Sequence, residues 1–424
     1  MYIIPYGDRN QYLYSDDLGA NIITVIAPEY PSVDKCDEPI GYALQNPLSS
    51  FNLADDLSKL SIAIAINDAT RPLPYRKILE PLINCLFSKN AEPESICFYI
   101  STGTHKPLSA AELSAFLPEI IISRFKISMH DCDDKDRLIF LGSTSRGTVV
   151  YINETFFHSD IKIVVGNIEP HHFMGYSGGV KTAAIGLAGR ETITKNHQML
   201  TDPHAKMGLF RSNPMRMDVE EIGKLINIHG AINVVLDADK QILAAFWGSP
   251  TEVMKAGIDF HQKYIQMDLE KHINLYDLVI ASPGGYPKDI NLYQAQKALT
   301  HATLFAKNGG IIILTAECRE GSGNDLFEKY IRHRCSPEQV VRDFENQFFQ
   351  LGPHKAYQIS KQAERNKIIL VSEFDSGWLN HIFIYMTDTI QAAIGHAMNY
   401  IPVNPKIALL PYATHLLPRT ADDL

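Results

Sequence analysis

Continuous runs of apolar residues alternate with amphipathic stretches along most of this chain, and polar residues follow the end of each run. Three runs lie in the first half, at residues 61–66, 95–100 and 161–165, and a helical pattern covers residues 75–86. Strands that are apolar throughout and alternate with helices are typical of a parallel sheet covered on both faces. The pattern therefore predicts parallel α/β structure in this half.

A second series of the same kind follows a hairpin-like stretch at 232–246 and a long helical segment at 250–269. It consists of three apolar runs, an amphipathic stretch and a last strand-like run. These segments are 278–281, 310–314, 368–371, 389–400 and 407–410. We therefore expect an α/β fold in which two α/β domains with mainly parallel sheets flank an active-site cleft.

The division between the two series lies near residue 272. We expect an N-terminal domain of residues 1–272, which includes a strand-like run at 22–26, and a C-terminal domain of residues 273–387. The tail at 388–424 is expected to return to the N-terminal domain. The chain has no fixed-period repeat and no long Pro/Gly/Ser linker, so we expect no repeat architecture.

Composition narrows the class of protein. The 424 residues are 45% hydrophobic and 21% charged, as in ordinary soluble globular proteins. A net charge of −9 without a Lys/Arg block argues against nucleic acid or an anionic membrane as a partner. No apolar run approaches the ~20 residues that span a bilayer, and the N-terminus lacks a signal-peptide pattern. The six cysteines form no Cys-x-x-Cys pair, so we expect reduced thiols and a cytoplasmic protein.

Functional side chains concentrate where the predicted strands end. Ligands of open α/β sheets bind at the carboxyl ends of strands, where several loops converge. After the first strand, Asp68 could orient a base, and the planar guanidinium of Arg71 suits a carboxylate or phosphate. After the second, His105 lies in a Gly/Thr turn and is a candidate general acid or base. Taken alone, these residues also fit a helix cap, an Asp–Arg ion pair and a structural histidine.

The loop after the third strand, at residues 169–181, combines two adjacent histidines with several glycines, which allow close approach of a ligand to the backbone. Lys181 ends this crowded, partly apolar loop, a setting in which a lysine can become a nucleophile. Further along, His197 could ligate a metal. The segment 175–182 nearly matches a phosphate-binding P-loop, but Val180 occupies the position of the second glycine, which argues against an NTPase.

A fourth loop, at residues 282–297, follows the first strand of the second series. In the helix that it opens, Gln294 and Lys297 are i, i+3 neighbours on one face. Together they could hold a carboxylate or a hydroxyl of a substrate, although an exposed helix face would carry the same residues.

Together, the four loops resemble the nickel-dependent lactate racemase family, whose members racemise or epimerise 2-hydroxy acids. The resemblance covers most of the chain and depends on five motifs that occur in order. They are D-A-T-R-P at 68–72, G-T-H at 103–105, E-P-H-H-F-M-G-Y-S-G-G-V-K at 169–181, N-H at 196–197 and G-G-Y-P-K-D-I-N-L-Y-Q-A-Q-K at 284–297.

The resemblance implies nickel and a nickel pincer nucleotide, a pyridinium-3-thioamide-5-thiocarboxylic acid mononucleotide, as cofactors. The nucleotide would be covalently attached to Lys181, and His197 would be the protein ligand of the nickel. Enzymes of cofactor biosynthesis would then be partners. Residues 1–272 would form the cofactor-binding domain, and residues 273–387 the substrate-side domain.

The resemblance also implies an activity and a role for each matched residue. A small 2-hydroxy acid would be racemised or epimerised by reversible hydride transfer to the cofactor, through a 2-oxo acid intermediate. The acid/base pair matches His105 and His171, and Asp68 matches a residue that supports the active site. The substrate-binding positions match Arg71, Gln294 and Lys297.

One region departs from the family pattern. Lactate-specific relatives carry a tryptophan in a second-domain loop that we align with residues 351–357, where none occurs. The tryptophans of this chain, Trp247 and Trp378, do not fit that position. His354 and Lys355 in this loop favour a substrate larger or more anionic than lactate, unless their side chains are simply exposed.

Two other functions remain open. A metal-dependent hydrolase or lyase could use the histidines, but His171 and His172 are expected to diverge on a strand, and no H-x-x-x-H spacing occurs. The second is a non-catalytic protein that binds the cofactor.

Overall fold

The computed structural model of the chain describes most of its residues and divides them into two compact units. The first unit consists of the described residues between 38 and 264, and the second unit of those up to 24 together with 265–416. The described ranges are 1–14, 22–24, 38–49, 51–68, 73–105, 108–237, 240–265, 272–347, 349–350, 352–374 and 377–416.

Strands and helices alternate through much of both units. The strands are β1 (Tyr2–Tyr6), β2 (Arg9–Leu13), β3 (Ile22–Thr24), β4 (Ile62–Asn67), β5 (Ile96–Ser101), β6 (Lys126–Met129), β7 (Leu138–Ser143), β8 (Val149–Asn153), β9 (Ile161–Asn167), β10 (Pro170–His171), β11 (Gly175–Tyr176), β12 (Gly230–Leu236), β13 (Ile242–Gly248), β14 (Tyr276–Ala281), β15 (Ala306–Thr315), β16 (Lys367–Val371), β17 (Tyr385–Thr387) and β18 (Ile407–Leu410). The α-helices are α1 (Pro39–Gln45), α2 (Tyr75–Phe87), α3 (Ala110–Phe116), α4 (Glu119–Arg124), α5 (Glu154–His158), α6 (Lys181–Ala184), α7 (Arg190–Gln198), α8 (Pro214–Ile226), α9 (Pro250–Phe260), α10 (Leu292–Ala295), α11 (Lys297–Phe305), α12 (Asp325–Arg332), α13 (Pro337–Glu345), α14 (Pro353–Arg365) and α15 (Ile390–Ala397).

The first unit is built on a six-stranded sheet in the order β13-β12-β9-β4-β5-β6. Its strands pair in parallel, except that β12 and β13 form the antiparallel hairpin expected from the sequence. Apolar residues of β4 and the amphipathic helix α2 share one core, in which Ile64 packs in the same cluster as Ile78 and Leu82. Helix α6 also contacts β4 and β9. The α/β fold with mainly parallel sheets is therefore confirmed.

The register of this sheet places three loops at one edge. Asn67 at the end of β4 pairs with Ser101 at the end of β5, and Ile66 pairs with Val165 near the end of β9. Because parallel strands run in the same direction, the loops that follow β4, β5 and β9 leave the sheet on the same side. Three of the polar loops singled out from the sequence begin there.

The second unit contains a six-stranded sheet in the order β17-β16-β15-β14-β18-β3, with every neighbouring pair parallel. The hairpin of β1 and β2 contributes Ile4, Tyr6 and Leu13 to the core that covers this sheet. Helix α15 packs against the same sheet through Ile390 and Ile394.

Both ends of the described chain belong to the second unit, which corrects two expectations. Strand β18 lies between β14 and β3, so the part of 388–424 that the structure describes does not return to the first unit. Strands β1 to β3 likewise lie outside the first unit, whereas the sequence pattern predicts them in a domain of residues 1–272. Strand β3 covers 22–24, and the rest of the predicted run lies outside the described residues. An apolar run specifies a strand, but it does not specify a partner hundreds of residues away.

Helix ends follow recognisable signals. Helix α8 begins after Asn213, whose Oδ1 accepts a hydrogen bond from the backbone N–H of Arg216, and it ends at Asn227 in the left-handed region with a φ of 58°. Helix α9 is followed by a π-helical turn, His261–Ile265, and the remainder of the predicted 250–269 helix lies outside the described residues. In the part of the chain that the structure describes, no helix is long and apolar enough to cross a bilayer.

Candidate functional site

A carboxylate and an imidazole join the loops that follow β4 and β5. Asp68 is 3% exposed, and its Oδ2 lies 2.7 Å from Nδ1 of His105. Because a carboxylate only accepts hydrogen bonds, Nδ1 carries the hydrogen, and Nε2 of the neutral ring keeps its lone pair. The His105 side chain is 58% exposed. The buried anion thus fixes the ring and leaves Nε2 as a base that faces outward.

Tyr75 lies close to this pair and stays protonated. Its hydroxyl donates a hydrogen bond to the backbone carbonyl of Asn67, at 2.8 Å. Burial of the phenol, with a smaller contribution from the charge of Asp68, raises the pKa of Tyr75. The tyrosine therefore adds no second negative charge beside the carboxylate.

The loop after β9 folds into a small hairpin that carries His171. Strands β10 and β11 pair His171 with Gly175. Gly175 has a φ of +72°, and a Cβ there would lie 1.7 Å from the carbonyl oxygen of Leu209, so the turn requires glycine. Nδ1 of the buried His171 ring accepts a hydrogen bond from the backbone N–H of Met174, at 3.3 Å. In this arrangement Nε2 of the neutral ring carries the hydrogen.

The rings of His171 and His172 are stacked, so the expectation that they diverge is wrong. Their centroids lie 4.6 Å apart, and the angle between the ring planes is 20°. Strand β10 has only two residues, and His172 already belongs to the turn that follows it. The alternation of side chains along a strand therefore does not apply to this pair.

Lys181 follows two glycines in the left-handed region of backbone conformation. Gly178 and Gly179 have φ values of +87° and +59°. The backbone N–H of Gly179 donates to Oδ1 of Asn233 at 2.6 Å. Lys181 begins the short helix α6, and its Nζ is buried. A buried amine at the end of a tightly held loop is a suitable anchor for a covalent cofactor.

His197 presents one ring nitrogen that suits a metal. Its Nδ1 lies 2.8 Å from the backbone carbonyl oxygen of Ile193, one helical turn earlier, and must donate to it. Nε2 of the neutral ring therefore keeps the lone pair that a metal requires. The Phe173 ring lies 5.7 Å from the His197 ring and 4.5 Å from the His171 ring, between centroids. One aromatic side chain thus links the metal-ligand candidate with the acid/base candidate.

Two buried polar residues of α8 support the loop before Lys181 and the helix that carries His197, and the sequence did not point to them. Arg216 is fully buried and donates to the backbone carbonyls of Tyr176 and Gly178. Asp218 is also fully buried and accepts a hydrogen bond from Nδ2 of Asn196, at 2.9 Å. The Asn-Pro pair that starts α8 signals a helix, but it does not show which polar residues that helix buries.

The second unit places the two predicted substrate-binding residues in contact. Nζ of Lys297 donates to Oε1 of Gln294 at 2.6 Å. Oδ1 of Asn291 accepts a hydrogen bond from the backbone N–H of Gln294, at 3.0 Å, and so fixes the start of α10. An ammonium held by an amide in this way can bind a carboxylate.

His354 and Lys355 lie in the first turn of α14 rather than in a loop, and they are 4% and 3% exposed. Nζ of Lys355 donates to Oε1 of Gln358 at 2.9 Å and lies 5.7 Å from the centroid of the Tyr293 ring. The His354 ring is edge-on to the same tyrosine, with centroids 6.0 Å apart. Burial raises the pKa of Tyr293 to about 12. Both residues therefore pack next to the residue that precedes Gln294.

Within the described ranges, the candidate histidines do not converge into a set of several metal ligands. They therefore fit a metal with one protein ligand better than a metal with three. Among the described residues, the one group of at least three His, Cys, Asp or Glu donors that converges is Asp131, Cys132 and Asp133. There, both oxygens of Asp133 bind Arg190 at 2.6 Å, and burial raises the pKa of Cys132 to about 11. The candidate histidines do not belong to that group. The buried amine of Lys181 and Nε2 of His197 would suit the nickel pincer nucleotide that the resemblance implies, for which one lysine and one histidine are expected.

The structure thus brings Asp68 to His105 and links His171 to His197. Arg71 lies outside the described residues, so its part in the site stays a prediction. Two candidate acid/base histidines and a buried lysine follow the strand ends of an α/β unit, and Nδ1 of His197 in α7 bonds the backbone. These features define the class as an α/β protein with an enzyme-type site.

Comparison with known proteins identifies the family. The model of the lactate racemase N-terminal domain matches residues 6–208, and that of the lactate racemase C-terminal domain matches residues 272–416. The chain is 27% identical over 428 residues to a lactate racemase of Thermoanaerobacterium thermosaccharolyticum, covering 98% of each. It is 32% identical over 342 residues to a lactate racemase of Lactiplantibacillus plantarum, covering 80% of each. The chain therefore belongs to the lactate racemase family.

One solved structure agrees with this assignment, and a second shows the same fold. The lactate racemase apoprotein of T. thermosaccharolyticum superposes with a TM-score of 0.90 at 26% identity, covering 99% of both chains. A protein from Thermotoga maritima shares the fold, with a TM-score of 0.65 at 16% identity, over 89% of this chain and 97% of its own.

Proposed function

We propose that this chain is a racemase or epimerase of a 2-hydroxy carboxylic acid and that it works with a nickel pincer nucleotide attached to Lys181. Its relatives named above are lactate racemases, so an isomerase that acts on lactate-like hydroxy acids is the class of activity to expect. The observation that carries the proposal is the buried Lys181 amine at the end of the loop that holds His171.

Two residues would hold the cofactor. Lys181 would anchor the nucleotide, and Nε2 of His197 would bind the nickel, because Nδ1 is committed to Ile193. When bound, the nickel pincer nucleotide would supply an electron-poor ring that accepts and returns the α-hydrogen of the substrate as a hydride. Burial of the lysine and the packing of Phe173 against His197 would exclude water from this surface.

Acid/base work falls to His105 and His171. The hydroxyl proton of the substrate must leave when the α-carbon becomes planar, and it must return when the opposite configuration forms. Nε2 of His105 has the lone pair for the first task, and Asp68 would stabilise the imidazolium that results. In the structure Nδ1 of His171 accepts from Met174, so the neutral ring carries its hydrogen on Nε2. To return a proton, His171 would act as an imidazolium with hydrogens on both ring nitrogens, and loss of the Nε2 proton would leave the neutral ring. For the other enantiomer the two roles are exchanged.

Binding of the substrate would use cations. The Lys297 ammonium, held by Gln294, is proposed to bind the carboxylate or the hydroxyl. We propose the same role for Arg71, whose fork of donors matches a carboxylate.

The substrate is proposed to be larger or more anionic than lactate. The region aligned with the tryptophan of lactate-specific relatives contains His354 and Lys355, and both are buried against Tyr293. A lysine and an imidazole at that position favour polar or anionic groups over the methyl group of lactate.

The proposal is tested by intact mass and peptide mapping of the chain produced together with the cofactor-building enzymes, followed by a racemisation assay. We expect an added mass on Lys181, bound nickel and conversion of a 2-hydroxy acid between its configurations. Lys181→Ala should carry no added mass, whereas Lys195→Ala, a change at an exposed lysine of α7, should be fully loaded.

The same experiment separates the two alternatives. Metal held by several side chains without an adduct on Lys181 would indicate a hydrolase or lyase. An adduct without turnover of any 2-hydroxy acid would indicate a binding protein. Either result would contradict the proposed racemase.

A further inference from the structure

The glycine loop that leads to Lys181 is held by a guanidinium from α8. Arg216 is fully buried. Its Nη1 donates to the backbone carbonyls of Tyr176 and Gly178, at 3.2 and 3.1 Å, and its Nη2 donates to Gly178 at 3.1 Å. Both carbonyls lie in the few residues that precede Lys181. The planar fork of an arginine can bind two such acceptors at once, and a lysine ammonium cannot reproduce that geometry.

The charge of Arg216 is balanced within its own helix. Glu220, one turn later, accepts from Nε at 2.8 Å, and its Oε1 lies 2.6 Å from Nη2. The Phe210 ring lies over the guanidinium, with its centroid 4.9 Å from Cζ. Replacing a buried ion pair by apolar residues is often neutral or stabilising, so stability alone does not account for this one. What this ion pair adds beyond stability is the set of hydrogen bonds from Arg216 to the carbonyls of Tyr176 and Gly178.

The opposite side of the loop is held as well. Oδ1 of Asn233 on β12 accepts the N–H of Gly179 at 2.6 Å. A Cβ at Gly178 would lie 2.8 Å from that oxygen, and a Cβ at Gly179 would lie 3.0 Å from Nη2 of Arg216. The two glycines are thus enclosed between α8 and β12, and their left-handed conformation is fixed from both sides.

We propose that Arg216, with Glu220 as its counter-ion, is a positioning residue that fixes the glycine loop so that the Lys181 amine reaches its attachment position. The consequence for attachment depends on the proposed function, because it assumes that Lys181 carries the cofactor. The restraint on the loop does not depend on it.

The first test uses the chain without cofactor. Arg216→Lys keeps a positive charge beside Glu220 but loses the fork, so hydrogen exchange of the amides at 176–181 should become at least about tenfold faster, while the melting temperature changes by only a few degrees. Glu221→Gln is the matched control. Glu221 is next to Glu220 in the sequence, but its carboxylate binds Ser145 and not Arg216, so this variant should leave exchange in the loop unchanged.

The second test loads the same variants in cells that make the cofactor. At equal amounts of folded protein, Arg216→Lys should carry at least tenfold less adduct on Lys181 than the wild-type chain or Glu221→Gln.

Glu220→Gln keeps the bonds from Arg216 to the loop carbonyls but removes the counter-charge. Its rate of hydrogen exchange and its amount of adduct should therefore lie between those of the wild-type chain and Arg216→Lys. If Arg216→Lys does not fold, Glu220→Gln decides, and wild-type exchange in that variant overturns the inference.

Unchanged exchange at 176–181 in Arg216→Lys would overturn the inference. So would faster exchange throughout the unit with a much lower melting temperature, because Arg216 would then serve only overall stability. If Arg216→Lys has faster exchange at 176–181 but carries the wild-type amount of adduct on Lys181, the proposed effect of Arg216 on cofactor attachment would be overturned. If the wild-type chain itself takes up no adduct, the proposed function fails. Hydrogen exchange at 176–181 would still test whether Arg216 restrains the glycine loop.

Discussion

Asp68 binds Nδ1 of His105 from a position that solvent hardly reaches, while the imidazole itself is more than half exposed. The arrangement sets both the orientation and the tautomer of the ring. Asp68→Asn should therefore lower kcat by about 10²–10⁴-fold with a smaller change in KM, because the imidazolium loses its counter-charge.

The comparison for this variant is Asp202→Asn. Asp202 and His204 form a similar but exposed pair, with Nδ1 3.3 Å from Oδ1. That change should leave kcat within about twofold of wild type, as exposed pairs contribute little. Equal rates for Asp68→Asn and wild type in a racemisation assay would remove Asp68 from the mechanism.

The two stacked histidines are expected to differ in function. His171→Gln should lose about 10²–10⁴-fold in kcat while it retains the adduct on Lys181, because the ring that exchanges the proton is gone. His172→Phe should lose much less, since a phenyl ring can preserve the stacking on His171. Racemisation rates and intact masses of both variants check this, and comparable losses would assign chemistry to His172 as well.

Selectivity for the substrate should depend on Lys355. In a screen of lactate, malate, aldonates and aryl-lactates, we expect lactate not to be the fastest substrate. Lys355→Met should shift kcat/KM toward the less anionic acids, whereas Lys361→Met, at an exposed position of the same helix, should not. A wild-type chain that clearly prefers lactate would contradict this prediction.

Gly175 and Gly147 both have a positive φ, but only at Gly175 would an added Cβ collide with a neighbouring atom, so alanine variants of the two separate backbone strain from a steric clash. Gly175→Ala places a Cβ against the Leu209 carbonyl, so it should lower the free energy of unfolding by more than about 3 kcal/mol. Gly147 also has a positive φ, +76°, but a Cβ there meets nothing within 4 Å. Gly147→Ala should cost only about 1–2 kcal/mol. Urea unfolding of both variants measures the difference, and equal losses would show that the backbone near Gly175 relaxes.

Acid should destabilise the second unit through His301. Its Nδ1 donates to the Leu416 carbonyl at 2.7 Å, and burial lowers the pKa of His301 to about 4. The unfolded chain, with a histidine pKa near 6.5, binds the proton first, so stability is full above about pH 6.5 and is lost as the pH falls toward 4. The loss should reach about 3 kcal/mol, at about 1.4 kcal/mol for each pH unit.

His301→Gln removes this titration and should flatten the dependence of unfolding free energy on pH between about 6.5 and 4. His333→Gln, at an exposed position of the same unit, is the control. Parallel curves for His301→Gln and the wild-type chain would contradict the assignment.

The local apolar pattern was sufficient to predict most central strands and the direction of their pairing. Strand β4 was expected at 61–66 and covers Ile62–Asn67, because a short run that is apolar at every position and ends in turn residues is typical of a strand buried on both faces. The residues at its end, Asp68 among them, follow from the rule that parallel strands gather their loops at one edge. Gln294 and Lys297 lie in two successive short helices, α10 and α11, rather than in one, but the helical conformation of Gln296 between them keeps the predicted i, i+3 contact.

What the sequence could not predict depends on distant or very short structure. The stacking of His171 on His172 follows from a two-residue strand, which is too short to impose alternation. The burial of Arg216 depends on carbonyls some forty residues earlier in the chain, as its bond to Tyr176 shows. The pairing of β3 with β18 likewise joins segments that no local pattern relates.

The position of β18 inside the second sheet has a consequence for biosynthesis. Strand β3 ends at Thr24 and its hydrogen-bonding neighbour starts at Ile407, so during synthesis β3 waits for about 380 further residues. At about 5–20 residues per second, this delay is roughly 20–75 s. The first unit can complete its sheet in that interval, and β1 can pair with β2, whereas β3 stays without its partner until β18 has been made. We therefore expect β3 to be where a chaperone engages the growing polypeptide.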